Sequence, residues 1–269
     1  MYNHFLINQL LFISFFIKLQ FFHFVNIRIC SDENKCISVL QNFRCRTKRG
    51  GPIYYSGKNI DQRAAEFLAE IAHYRDGHNL TINPDHAALI VIDMQRYFLD
   101  KESHAYVRSS PAVVNNIIKL QTAFLNHNLT LIQTRHLNTP KGAGRMNLWW
   151  ADVITEANPL SEIDDRLISD RAVIVRKEQY DAFLNTDLEH ILTRRGISQL
   201  LITGVLTHLC CETTARSAFM RGFEVFFAVD GTATYSEKFH RAALLNLSHG
   251  FAVPVLTGEI LEQLGGRNK

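Results

Sequence analysis

From residue 86 onward the apolar positions fall into short continuous runs separated by stretches with helical spacing. Ala87–Ile92 (AALIVI), 129–133, 172–175 (AVIV), 199–203 (QLLIT), 225–229 (VFFAV) and 252–256 read as strands covered on both faces. Between them, 111–125 carries Val114, Ile117, Ile118 and Phe124 on one helical face, and 184–194, 210–221, 237–248 and 259–264 read as further helices. Short buried strands alternating with helices imply right-handed βαβ units. The expected fold is therefore α/β: a three-layer αβα sandwich around a mainly parallel six-stranded sheet with Rossmann-like topology. Upstream, 61–74 (DQRAAEFLAEIAHY) places Ala64, Phe67, Leu68 and Ile71 at helical spacing and predicts a preliminary helix packed on this domain. No repeat of 20–50 residues is visible.

The start of the chain follows a different pattern. Residues 5–25 (FLINQLLFISFFIKLQFFHFV) are dense in Phe, Leu and Ile but are interrupted by Asn8, Gln9, Lys18, Gln20 and His23. No Lys or Arg precedes the run and no small-residue cleavage site follows it, which fits a signal peptide poorly. A membrane span wants about 20 apolar residues with few charges, and Lys18 lies inside this run. A poorly ordered extension or an over-long start is the favoured reading, which makes the chain cytoplasmic. The alternative is export or membrane anchoring through 5–25, with membrane contact only if that segment is real and retained. Arg44-Cys45-Arg46-Thr47-Lys48-Arg49 reads as a solvated linker, and Gly50-Gly51-Pro52 as a break. The expected organisation is thus 1–51 as a hydrophobic then basic extension, 52–84 as preliminary helix and linker, and 85–269 as the main domain.

Composition narrows the picture further. The 269 residues are 46% hydrophobic and 20% charged, which excludes collagen-like and low-hydrophobicity disordered classes. A net charge of +3, from 29 basic and 26 acidic residues, argues against nucleic acid as a partner. Of 5 cysteines, Cys30, Cys36 and Cys45 lie in the extension without CxxC spacing or a matching His pair, so they make no zinc site.

In a parallel sheet the chemistry gathers beyond the carboxyl ends of the strands. Asp93 follows the first strand, Lys177 the third and Cys210 the fourth. Each has an ordinary explanation alone: a helix N-cap, a solvated strand end, a buried filler thiol. Together they make a reactive set. A helix N-terminus and a lysine ammonium are expected to lower the cysteine pKa. A carboxylate takes the thiol proton and returns it to a leaving group, and the loop 204–210 offers backbone N–H groups to an oxyanion. No G-x-G-x-x-G follows the first strand, so a nucleotide-binding oxidoreductase is poorly supported.

Val91-Ile92-Asp93-Met94-Gln95, then Arg176-Lys177 with Tyr180-Asp181-Ala182-Phe183, then Gly204-Val205-Leu206-Thr207-His208-Leu209-Cys210 with Thr213-Thr214-Ala215-Arg216, resemble the isochorismatase-like cysteine hydrolases. That family includes nicotinamidases, N-carbamoylsarcosine amidases and isochorismatases, and the resemblance spans roughly 85–264. It implies a triad of Cys210 as nucleophile, Asp93 as general acid/base and Lys177 as electrostatic partner. It also implies a cis peptide at 205–206, with the Leu206 and Cys210 N–H groups as oxyanion hole. The metal-binding D-x-H motif of the nicotinamidases is replaced here by Thr134-Arg135-His136, so neither metal nor other cofactor is expected. Residues 213–236 look closer to the isochorismatase branch, yet siderophore-type isochorismatases often have glycine where this chain has Cys210, which favours acyl chemistry on a C–N bond. The leading expectation is a cysteine hydrolase of a small amide, ureido or carbamoyl compound. Isochorismate hydrolysis and a non-catalytic binding domain are the alternatives. Weaker candidates for substrate contact are Gln95, Phe98, Arg135, Arg145, Trp150 and Thr207. His208 reads as a loop-fixing residue, and a homodimer or homotetramer is implied by resemblance alone.

Overall fold

A computed structural model describes residues 28–30, 36–38, 52–78, 81–150 and 152–266. The apolar run 5–25 and the basic stretch 44–49 lie outside the described residues. Residues 1–44 form one unit, in which β1 (Arg28–Cys30) and β2 (Cys36–Ser38) pair as an antiparallel ribbon. Residues 45–269 form the other. Its elements run α1 (Ile60–Glu70), α2 (Ala72–Arg75), β3 (Ala87–Ile92), α3 (Arg96–Leu99), α4 (Ser110–Asn126), β4 (Thr130–His136), α5 (Met146–Trp149), β5 (Val173–Lys177), α6 (Leu188–Arg194), β6 (Gln199–Val205), α7 (Glu212–Met220), β7 (Glu224–Ala233), α8 (Glu237–Gly250), β8 (Val253–Val255) and α9 (Thr257–Gly265).

The six strands β3–β8 lie in the order β5-β4-β3-β6-β7-β8, every neighbouring pair parallel. The strand order reverses between β3 and β6, and this switch point is where a doubly wound sheet opens a crevice. Every residue of β3 and of β6 is buried, which is why both read in sequence as unbroken apolar runs. β6 continues two residues past its apolar run, through Gly204 to Val205. β7 continues through Asp230-Gly231-Thr232-Ala233, a polar and glycine-bearing stretch that periodicity alone places in a loop. There Asp230 accepts the Thr257 backbone N–H (2.8 Å) and hydroxyl (2.9 Å) at the start of α9, a structural use of a buried carboxylate.

The upstream helix is α1, shortened at Ile71 and followed by the single turn α2. Its Ile60, Ala64, Phe67 and Leu68 are buried in the same core as the sheet. Among the described residues no helix is long and apolar enough to cross a membrane.

Two backbone features tighten the switch point. Asp93, directly after β3, has φ of 50°, a left-handed conformation that costs a non-glycine residue free energy and is retained where the surroundings over-determine it. Gly204, its neighbour across the sheet, has φ of 112° and pairs in register with Ile92. A methyl group on Gly204 would overlap the backbone of Ile92, so only glycine lets β6 lie this close to β3. Gly204→Ala is therefore expected to destabilise the fold by at least about 2 kcal/mol, read as a lowered urea midpoint with unchanged slope. A midpoint equal to the wild type would contradict this account.

Candidate active site

Four strand ends in spatial sequence, β5, β4, β3 and β6, deliver Lys177, His136 with Thr134, Asp93 and, one turn on, Cys210. Lys177 is the last residue of its strand and His136 its register partner. Alternation along β4 sends Thr134 and His136 to the site, while Gln133 and Arg135 bond to residues 161–167 instead.

The ammonium of Lys177 is the centre of the arrangement. Its Nζ lies 2.7 Å from Asp93 Oδ2, 2.9 Å from the Gln179 carbonyl oxygen, 3.1 Å from His136 Nδ1 and 3.4 Å from Cys210 Sγ. The other carboxylate oxygen of Asp93 accepts the Thr134 hydroxyl at 2.6 Å, and that hydroxyl accepts the Asp93 backbone N–H at 3.0 Å. Because the ammonium donates to His136 Nδ1, the imidazole proton is on Nε2, where Asn138 Oδ1 stands at 3.2 Å. Asn138 is fixed in turn by donating to the Glu178 carbonyl at 2.8 Å.

Burial works against both charges, since Asp93 and Lys177 are essentially excluded from solvent. Lys177 and, secondarily, His136 nevertheless hold the Asp93 carboxyl below its ordinary range. Asp93 and Cys210 hold the Lys177 ammonium above its own. The thiol departs from expectation. Burial pushes the Cys210 pKa up, outweighing the downward pull of Lys177, and Asp93 adds to the rise. Cys210 also does not open an α-helix: it sits in a π-type turn, Thr207–Cys211, and α7 starts only at Glu212. The resting state is thus carboxylate, ammonium and neutral thiol, with the base beside the acid it would deprotonate.

Asp93, His136 and Cys210 also form a cluster whose donor atoms lie within 4.8 Å of one another, a spacing that suits a metal ion. Lys177 Nζ is within reach of one atom of each, so an ammonium already stands where a cation would gather these donors.

A cleft with a volume of about 90 Å³ opens beside the thiol. Its walls are Tyr97, Phe98, Trp150, Tyr180, Tyr235, Leu206 and Leu209, with polar atoms from His104, His136, Asn138 and Asp152. Trp150 Nε1 donates to the Tyr180 hydroxyl at 2.7 Å and ties two walls together. Of the residues singled out from sequence, Phe98, Trp150, Leu206 and Cys210 line this cleft. The others are placed elsewhere. Gln95 is fully buried, donating to the carbonyls of His136 (3.0 Å) and Ser161 (2.6 Å) and accepting the His136 N–H (2.8 Å), so it fixes the end of β4. Arg135 is held by Glu162 at 2.5 Å and by Ser161. Arg145 is exposed outside the cleft. Thr207 is buried beneath the loop, with its hydroxyl 3.1 Å from His240 Nδ1. Sequence reasoning passed over the tyrosine walls and His136 as a ligand of the ammonium. The two-residue alternation on β4 was the available signal for the latter.

A cis peptide bond at Val205–Leu206 precedes the turn that carries Cys210, as the resemblance implied. Cys211 packs inward with its Sγ 3.9 Å from the Thr203 carbonyl, and Cys210 and Cys211 are both free thiols. His208 stacks on Phe239, with ring centroids 4.3 Å apart, and its Nδ1 lies 2.6 Å from the Thr234 hydroxyl.

With this geometry in place, comparison with known proteins is informative. The isochorismatase domain matches residues 87–259. Nicotinamidase 3 of Arabidopsis thaliana is 36% identical over 185 residues, covering 67% of this chain and 89% of that protein. Enterobactin synthase component B of Escherichia coli (strain K12) is 32% identical over 184 residues, covering 66% of this chain, which spans 63% of that relative's length. Among solved structures, a cysteine hydrolase from Pseudomonas syringae pv. phaseolicola 1448A superposes with a TM-score of 0.65 at 26% identity, covering 70% of this chain and 96% of that one.

Three histidines around the site are held neutral by burial. Desolvation lowers the pKa of His136 to about 4, helped by Lys177, that of His208 to about 4, and that of His240 to about 3. In the unfolded chain each takes up a proton near pH 6.5, so below that pH the unfolded state binds more protons and stability falls as pH falls. Each histidine contributes a slope of up to about 1.4 kcal/mol per pH unit down to its folded value. The urea midpoint should therefore drop measurably from pH 7.5 to pH 5, above the carboxylate range, and His240→Gln should flatten that dependence. A midpoint constant between those pH values would refute the assignment.

Proposed function

Because this chain belongs to the isochorismatase family of hydrolases, we propose that it hydrolyses the C–N bond of a small neutral amide, ureido or carbamoyl compound through a covalent Cys210 intermediate. The observation that carries this reading is the neutral Cys210 thiol beside the ionised Asp93–Lys177 pair, at the floor of an aromatic cleft.

In the proposed cycle, Asp93 takes the Cys210 proton as the sulfur attacks the carbonyl carbon and forms a C–S bond. Lys177, 3.4 Å from the sulfur, compensates the thiolate as it develops. The tetrahedral oxyanion is received by the N–H groups of Leu206 and Cys210. Asp93 then protonates the leaving nitrogen, the C–N bond breaks, and an amine or ammonia departs to leave a thioester. Water, deprotonated by Asp93, attacks that thioester. Collapse releases the acid, and Asp93 returns the proton to the Cys210 thiolate.

The cleft also supports a choice of substrate. Isochorismate carries two carboxylates, which call for cationic partners. Arg135 and Arg145 are not among the residues lining the cleft, and the charged side chain that does line it, Asp152, is acidic. Its tyrosine, phenylalanine and tryptophan faces suit a flat uncharged acyl group.

Cys210→Ala separates the two reactions. Nicotinamide, N-carbamoyl compounds and isochorismate are assayed for ammonia and for pyruvate. The wild type is expected to release ammonia, with a loss of at least about 10³-fold in Cys210→Ala and a mass adduct on Cys210 in acid-quenched enzyme. Pyruvate release that survives Cys210→Ala would instead establish vinyl-ether hydrolysis.

A further inference from the structure

The nucleophile loop is held from below by residues that lie outside the matched family domain. Tyr54 and Tyr55 precede α1, more than 30 positions upstream of residue 87, and both are buried. They pack with Phe67 and His240 in one aromatic cluster, with ring centroids 4.7 to 6.4 Å apart.

The hydrogen bonds in this cluster have a direction. The Tyr55 hydroxyl donates to the Val229 carbonyl at 3.2 Å, which commits its only proton. His240 Nε2, 3.4 Å from the same oxygen, is therefore the protonated nitrogen of the ring. That leaves Nδ1 as an acceptor, and two hydroxyls converge on its lone pair: Tyr54 at 3.2 Å and Thr207 at 3.1 Å. Tyr54 Oη in turn accepts the backbone N–H of Thr234 at 2.9 Å. Thr207 opens the π-type turn that carries Cys210, and Thr234 is the residue that holds His208 of the same turn. One phenolic oxygen thus stands between the two supports of the nucleophile loop. The catalytic cycle uses none of these groups.

We infer that Tyr54, acting through His240 and Thr234, is a positioning residue for the nucleophile loop, contributed by the segment upstream of the family domain. The inference rests on the reading of Cys210 as nucleophile only where it concerns rate; the order of the loop is a separate observable. A hydroxyl removed here leaves the Thr234 N–H without its acceptor and Thr207 as the remaining hydroxyl on His240 Nδ1, while the ring remains in place.

The test compares full-length wild type, Tyr54→Phe, Thr207→Val and the double variant by amide hydrogen exchange. Tyr54→Phe is expected to accelerate exchange across 206–211 about tenfold, with α4 unchanged. Thr207→Val should do the same from the loop end, and it serves alone if Tyr54→Phe does not fold. The double variant should be no faster than the faster of the two singles, because Thr207→Val cuts one of the two links that Tyr54 serves. On the amide that the wild type turns over fastest, Tyr54→Phe should lower kcat by about tenfold with KM within about twofold. Unchanged loop exchange, acceleration spread evenly over the sheet, or fully additive variants would overturn the inference. Cys210→Ala keeps the whole network and should exchange as the wild type does. Residual turnover by that variant would count against the nucleophile and leave the exchange result standing.

Discussion

The buried ion pair of Asp93 and Lys177 is the constraint around which the centre is organised. Removing either charge from water is expensive, and a pair at 2.7 Å offsets that cost only when its remaining protons and lone pairs are also satisfied. The surroundings contribute the Thr134 hydroxyl and His136 Nδ1 from β4 and the Gln179 carbonyl from just beyond β5. Each of these is itself fixed by something further out, as Gln95 grips the backbone of His136 through two hydrogen bonds and that of Ser161 through a third. The left-handed backbone at Asp93 stands where the carboxylate meets a lysine two strands away, and Gly204 lets β6 lie against the residue before it.

The rest of the site is kept electrically quiet so that this pair dominates. His136, His208 and His240 are neutral, the cleft walls are aromatic, and Arg135 is neutralised by Glu162 away from the thiol. In such an environment the proposed proton transfer from Cys210 to Asp93 would convert one buried charge arrangement into another without bringing in a new ion. That explains why a thiol whose pKa is raised by burial is compatible with an acid–base role for its neighbour.

The main sheet was legible because its central strand β3 is covered on both faces and reads as an unbroken apolar run, and shorter apolar runs mark its neighbours. The reading stopped short where function altered the pattern: at Gly204-Val205, which end β6 beside the nucleophile loop, and at 230–233, where β7 carries a carboxylate, a glycine and a threonine. Asp93, Lys177 and Cys210 were legible by their place at strand ends. Of the residues expected to contact substrate, Phe98 and Trp150 line the cleft while Gln95, Arg135, Arg145 and Thr207 do not, because a residue's distance from a motif says nothing about which way it faces. Arg135 and His136 illustrate this, since adjacent strand residues cannot both point at one site. Tyr54 and Tyr55 lie in no periodic element, so nothing local marks them. Their partner His240 did leave a trace: it shares the apolar face of α8 with Ala243, Leu244 and Leu247, an unusual place for an imidazole without a role.

The surroundings of the lysine nitrogen carry a further consequence. An ammonium has three protons, and four acceptors crowd it: a carboxylate oxygen, a carbonyl oxygen, an imidazole nitrogen and a sulfur. One of the four must always go short. At rest the three hydrogen bonds go to the carbonyl, the imidazole and the sulfur, and Asp93 Oδ2 is held at 2.7 Å by charge without one. If Asp93 takes the Cys210 proton as proposed, the sulfur gains the charge that the carboxylate loses, and the ammonium already bonded to that sulfur compensates it. The centre is a small frustrated lattice in which that proton transfer would move negative charge from the acceptor that goes short to one that is hydrogen-bonded.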